Sequence, residues 1–246
     1  MDYNDFENEI YGNKKQEMTY ERLEKIVAAK VRGSVLWMIA GLLVTGIVGF
    51  FTINILFSGI IRPEIISPLI LGTFIVQFIT VVAFNAMTYK AKVGTLRAMF
   101  IIYSALTGIT LSMWGVIYTG DSIIYAFIGT VVLFTVLGLY GYFTKEDLTK
   151  YGTMLKVGLI ALIAMGVINM LIGSEQIMWV SSILGVVVFI IFTAYDINRI
   201  KNNVIAYAVE EDMTILDRIE IHGALSLYLD FINLFIYILR IIGRKK

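Results

Sequence analysis

Two carboxylates carry the chemistry that this sequence offers. Asp196 and Asp230 are the only acidic residues inside seven apolar stretches of membrane-crossing length. An ionisable side chain at the centre of a bilayer costs about 2.5–3.5 kcal/mol on insertion scales, so two of them need a reason. Carboxylates a few ångströms apart cannot both ionise cheaply; such a pair holds a proton and titrates as a unit. Full ionisation calls for a cation. Hard oxygen donors suit Ca²⁺, although two carboxylates fill few of the roughly 6–8 positions around that ion. Two basic side chains are candidates for a latch, meaning a cation contact to Asp196 that competes with the aspartate pair. One is Arg199, three residues after Asp196; the other is Lys90, at the end of the second apolar stretch. Asn233, one turn after Asp230, and Ser226, one turn before it, are supporting polar groups.

Asp230 lies in ALSLYLDFINLFIYILR, residues 224–240. On a helix, Gly223, Ser226, Asp230, Asn233, Tyr237 and Arg240 recur at spacings of three and four and form one face. Leucines, isoleucines and phenylalanines cover most of the remaining surface. A helix with one polar stripe is expected to turn the stripe to other helices and its apolar surface to lipid or neighbours.

The elements that must position these groups are membrane spans. The chain of 246 residues is 58% hydrophobic and 16% charged, with a mean hydropathy of +0.81; soluble domains are nearer a quarter charged. Spans of about 20 residues are expected at Gly33–Phe57, Ile65–Thr88, Ala98–Thr119, Ile123–Phe143, Met154–Ile172, Met178–Ile197 and His222–Ile242. The fold class is therefore an all-α integral membrane protein. Its parts are a tail of residues 1–32 with an amphipathic stretch at Met18–Val31, a helical membrane domain of residues 33–243, and a basic end, 244–246. Small residues step by four in the first span (Gly41, Thr45, Gly49) and the third (Ser104, Gly108, Ser112), a pattern that lets helix backbones approach closely. Asn54, Gln77, Asn85 and Asn169 read as interhelical glue, and Trp37, Tyr118, Tyr125 and Trp179 as interface anchors.

Lys and Arg set the expected orientation. They concentrate in the N-terminal tail and in the second, fourth and sixth connections, which places the N-terminus in the cytoplasm. Asp196 and Asp230 then fall in the inner half of the membrane, where they can meet. A seventh crossing puts the C-terminus outside, against the charge of Arg240, Arg244, Lys245 and Lys246. A full crossing is preferred to a re-entrant segment because 21 residues suffice. Arg240 is expected to snorkel to the outer interface. The sixth connection, 198–221, is long and acidic, with Glu210, Glu211, Asp212, Asp217 and Glu220; it lacks the pattern of an EF-hand and reads as a solvated loop.

Composition excludes several functions. With no Cys there are no disulfides, thiol catalysis or Cys-bound metals, and a lone His, His222, rules out multi-His metal centres. His222 sits where a solvated side chain is expected. An intramembrane hydrolase is poorly supported, so no enzyme activity and no permanently bound cofactor are expected. A net charge of +1 suggests no nucleic-acid partner.

Three segments, YSALTGITLS (Tyr103–Ser112), FTAYDINRIK (Phe192–Lys201) and ALSLYLDFINLFIYILRIIG (Ala224–Gly243), make the chain resemble the Bax inhibitor-1 family over roughly residues 20–243. The resemblance implies six helices around a central seventh and a calcium leak that responds to pH. In bacterial members it implies an aspartate pair joining the sixth and seventh helices, matching Asp196 and Asp230. It also implies a basic latch, commonly Arg, at the inner end of the second helix. Lys90 occupies that place here, and a Lys lacks the bidentate fork of Arg. The compact architecture suggests a bacterial cell membrane.

The leading expectation is a pH-sensitive Ca²⁺ leak gated by the aspartate pair, with Ca²⁺ and protons as the permeant and controlling ions and lipid as the surroundings. One alternative is a regulatory membrane protein that binds stress-response or membrane-protease partners through the N-terminal tail or residues 202–221. Another is a proton-coupled cation transporter.

Overall fold

The structure, a computed structural model, describes residues 3–60, 62–208 and 213–246, with side chains from residue 20 onward apart from Pro63. It consists of α1 (Tyr3–Phe57), α2 (Pro63–Met87), α3 (Val93–Ile117), α4 (Gly120–Phe143), a short 3-10 turn (Leu148–Tyr151), α5 (Gly152–Ile172), α6 (Glu175–Ala208) and α7 (Met213–Ile242). Seven of these helices are long and apolar enough to cross a membrane. Helices answer the constraint that a backbone in hydrocarbon must satisfy its own hydrogen bonds. The helix boundaries follow local chemistry. Pro63 opens α2 after an extended Arg62, Thr119 caps α4 through Ser122 N, and Gly173 ends α5 at φ 70°. Before the 3-10 turn, the Thr149 hydroxyl and backbone N–H hold the Asp147 carboxyl below the ordinary carboxylate range.

The spans stand where the sequence puts them, but two connections differ from expectation. The amphipathic stretch at Met18–Val31 is not a separate surface helix: α1 runs through residues 32 and 33 without a break. The long sixth connection is not a loop either. α6 continues to Ala208 and α7 starts at Met213, so only residues 209–212 separate them. Glu210, Glu211 and Asp212 lie outside the described residues, as do residues 1–2 and the side chains of 3–19. The two extensions have a physical cause in each other. Val27 and Val31 of α1 are buried in one cluster with Leu216 and Ile219 of α7. Lys30 pairs with Asp217 and, at 2.9 Å, with Glu220. Ser34 Oγ donates to the Glu220 carbonyl at 2.9 Å. Asp217 and Glu220 are thus engaged acids, not an open acidic mouth. Lys30→Met leaves both carboxylates without their cation and is expected to cost about 1–3 kcal/mol. The measurement is earlier exchange of backbone amides in residues 20–32 and 213–221, with the rest of the bundle still protected.

α7 is the most enclosed helix: 44% of its most apolar window is buried, against 11% for α2 and for α5. Its main neighbours are α6, α1, α4 and α3, while α5 packs chiefly on α6 and the 3-10 turn. The small-residue series of α1 and α3 interlock. A Cβ built on Gly108 would stand 2.6 Å from the Thr45 carbonyl, and one on Gly49 3.2 Å from the Gly108 carbonyl. Thr45 Oγ1 sits between them, 2.8 Å from the Ser104 carbonyl and 2.6 Å from the hydroxyl of Tyr228 on α7. The expected polar glue is divided. Gln77 reaches Thr110 across α2 and α3, and Asn85 reaches His222 on α7, whereas Asn54 bonds within its own helix. Of the expected anchors, Tyr125 and Trp179 are exposed, Trp37 lies under the guanidinium of Arg97, and Tyr118 is buried.

α7 ends among the odd-numbered connections. Thr119 N donates to the Arg244 carbonyl at 3.1 Å and Lys246 N to the Ile117 carbonyl at 2.9 Å. Lys246 Nζ lies 2.6 Å from the Gly115 carbonyl and over the ring of Phe57, and Lys245 approaches Glu175 at 3.7 Å. The seventh helix therefore passes from the side of the even connections to the side of the odd ones and does not turn back. Its basic tail sits at the C-terminal ends of α1 and α3, where helix dipoles favour cations. The Arg240 guanidinium is 5.1 Å from the Trp114 ring and 5.5 Å from that of Tyr237.

Candidate functional site

The polar end of FTAYDINRIK and the polar stripe of α7 meet inside the bundle. α6 and α7 are closely packed neighbours, and each carries one acid at their contact. Asp196 is 5% exposed and Asp230 4%. The two carboxyl groups interact directly, and both feel the charge of Arg199. Arg199 Nη1 is 3.5 Å from Asp196 Oδ1, an ion-pair contact without hydrogen-bond alignment. Its Nη2 donates to Ser226 Oγ at 3.1 Å, and its guanidinium lies 5.7 Å from the Tyr195 ring. Three of the expected site residues thus gather around Arg199: Asp196, Asp230 and Ser226.

Asp196 Oδ1 and Asp230 Oδ2 are buried and have no hydrogen-bond donor among the described residues. Ionised carboxylates only accept, so two that face each other cannot supply each other's missing donor. A single proton between them can.

Two expected residues stand apart. The Lys90 side chain is exposed and makes no hydrogen bond or ion pair among the described residues. The cation at Asp196 is Arg199, because one helical turn brings positions i and i+3 to the same face. Asn233 Nδ2 bonds back to the Leu229 carbonyl at 2.8 Å and so serves its own helix. As a resident metal centre the site is weak. No group of three or more His, Cys, Asp or Glu side chains forms among the described residues, and the Arg199 guanidinium already occupies the electrostatic place of a cation.

Two residues were not singled out by the sequence for the roles they have. Asn198 is buried two positions after Asp196. Its Oδ1 accepts from Leu148 N at 3.0 Å, and its Nδ2 reaches the carbonyls of Gly141 and Glu146 at 3.4 and 3.3 Å. It fixes the Asp196 segment to the connection between α4 and α5; the available signal was the polar run DINRIK at the end of an apolar span. His222 is not a freely solvated side chain. It is half-buried, 3.2 Å from Asn85 Oδ1 and beside the Phe84 ring.

Comparison with known proteins identifies the family. The family model described as "Inhibitor of apoptosis-promoting Bax1" matches residues 30–246. Inner membrane protein YbhL of Escherichia coli (strain K12) is 38% identical over 213 residues, covering 85% of this chain and 89% of the relative. A Borreliella burgdorferi protein is 36% identical over 232 residues, 94% of this chain and 98% of its own. A Streptococcus pyogenes membrane protein is 34% identical over 174 residues, 71% of this chain and 74% of its own. With seven membrane-length helices and a match over nearly the whole chain, this protein belongs to the Bax inhibitor-1 family of multi-pass membrane proteins.

Proposed function

We propose that this protein is a calcium leak of the cell membrane, with its N-terminus in the cytoplasm, gated by protonation of the Asp196–Asp230 pair. The observation that carries the reading is the pair of facing, buried carboxyl groups, each with an oxygen that no donor serves. In the closed state one proton lies between them and holds α6 to α7. When the proton leaves, two like charges face each other. At about 4 Å and an effective dielectric constant of about 20 they repel by about 4 kcal/mol. Arg199 offsets part of this by holding Asp196, and Asp230 is left to drive α7 away from α6. The path for Ca²⁺ then follows the polar stripe Gly223–Ser226–Asp230, whose carboxylate attracts a hard cation.

Arg199 is the latch in this reading and Lys90 is not. Protein in liposomes that hold a calcium dye is expected to admit Ca²⁺ at a rate that rises with pH. Arg199→Gln removes the cation that favours the ionised pair, so its flux profile moves to higher pH. Lys90→Gln leaves the profile in place. Flux equal to that of protein-free liposomes at every pH rejects the leak. A shift in Lys90→Gln with none in Arg199→Gln reverses the latch assignment.

A further inference from the structure

A cleft in the bundle is lined by neither residue of the aspartate pair. α1 packs on α3, α6 and α7, and α4 packs on α6 and α7. Between α1 and α4 a cleft of about 510 Å³ remains, floored by Ile197 of α6 and Phe231 of α7. Its lining is apolar apart from Thr135 and Tyr142, and the Thr135 hydroxyl is already used on the Val131 carbonyl at 2.8 Å. Several of its lining side chains, Ile39, Leu43, Val131 and Leu139 among them, are exposed on the outer surface of the bundle.

We propose that this cleft binds one acyl chain of an anionic glycerophospholipid, with the phosphate held at its Val31–Tyr142 end by Arg32 and Lys201. The length fits. The α1 wall runs from Val31 to Leu43, twelve residues or about 18 Å, close to the half-thickness of a hydrocarbon core of about 30 Å. One chain of one leaflet therefore fills it. The charge also fits. Arg32 follows Val31 and is exposed. Lys201 Nζ lies 2.9 Å from the Tyr142 carbonyl and 5.9 Å from the Tyr142 ring. Lys145 is exposed just beyond the end of α4. The acids nearby are engaged: Glu146 by Lys150 and Tyr151, and Asp147 by Thr149 and Asn202. The rim is left cationic beside an apolar slot.

The test uses the full chain in phosphatidylcholine nanodiscs that contain a trace of phosphatidylglycerol with a photoreactive group on its acyl chain. After illumination, adducts are expected to concentrate in residues 31–43 and 127–142. Excess unlabelled phosphatidylglycerol removes them, and excess phosphatidylcholine does not. Gly138→Phe fills the slot, since a Cβ there meets only Ile197, at 3.9 Å; adducts then fall to the level on the lipid-facing side of α5. Arg32→Gln, an exposed change that keeps the bundle intact, erases the advantage of phosphatidylglycerol. Three results each overturn the proposal: adducts spread evenly over all lipid-facing helices, competition by phosphatidylcholine as strong as by phosphatidylglycerol, or unchanged labelling in a folded Gly138→Phe protein. If Gly138→Phe does not fold, the wild-type map and Arg32→Gln decide the matter.

Discussion

Asp230→Asn is expected to abolish the pH dependence of calcium flux and to hold the flux at its acid-side level. The reason lies in the hydrogen-bond inventory of the pair. An Asn side chain carries an N–H₂ donor, so it gives Asp196 permanently what the shared proton gives it only at low pH. Asp196 keeps its contact with Arg199, 3.5 Å away, and the second charge that would part α6 from α7 never forms. For a coupling of about 1–3 kcal/mol, flux at the alkaline end falls by about 5- to 150-fold. Asp196→Asn also removes the pH response, but less cleanly, because it takes the carboxylate from the half-buried Arg199 and so destabilises the fold. The checks are a pH series of dye-reported Ca²⁺ entry into liposomes and the separation of spin labels placed on α6 and α7. A pH response that survives in both variants rejects the pair as the sensor.

The second large effect concerns how the bundle is held. Gly108→Ala places a methyl group 2.6 Å from the backbone carbonyl of Thr45 and 3.0 Å from Gly49 N. Backbone atoms cannot turn aside as a long side chain can, so α1 and α3 must separate. Separation loosens the contact between Thr45 and Ser104 and the buried hydroxyl pair Thr45–Tyr228. Overpacking of this kind costs about 1–3 kcal/mol, and the lost hydrogen bonds bring Gly108→Ala to the upper end of that range. Gly72 in α2 is the matched control. A Cβ there meets nothing within 4 Å, so Gly72→Ala removes only the backbone freedom of a glycine and is expected to stabilise by about 0.5–1 kcal/mol. Thermal unfolding in detergent, followed by helical circular dichroism, gives both signs. A neutral Gly108→Ala would mean that the helices do not approach as closely as the structure shows.

The membrane spans were legible because hydrocarbon forces a long apolar run to be helical. The packing faces of α1 and α3 were also legible in the series Gly41–Thr45–Gly49 and Ser104–Gly108–Ser112; that these two faces interlock with each other is what the structure adds. Asp196 and Asp230 stood out because charge is rare in such segments. The ends of α6, α7 and α1 were not legible. Residues 198 to 221 resemble a solvated loop by composition, yet 198–208 continue α6 and 213–221 begin α7, beyond the apolar runs. Their partners, Lys30 with Asp217 and Glu220, are 187 and 190 residues apart in the chain.

The sequence by itself determined the class of the protein and its spans, and it singled out the two intramembrane acids; these follow from local properties, apolar length, spacing on a helix face, or a charge where charge is costly. The family was legible through the resemblance of three segments, Tyr103–Ser112, Phe192–Lys201 and Ala224–Gly243. Only the tertiary structure decided which groups meet. It set Arg199 rather than Lys90 at Asp196, placed Asn198 against the connection before α5, carried α7 across to the odd connections with its basic tail at two helix ends, and left an apolar cleft between α1 and α4. These depend on the rotation and depth of each helix against its neighbours. Rotation and depth are fixed by side-chain packing over many distant residues, which no single stretch of sequence contains.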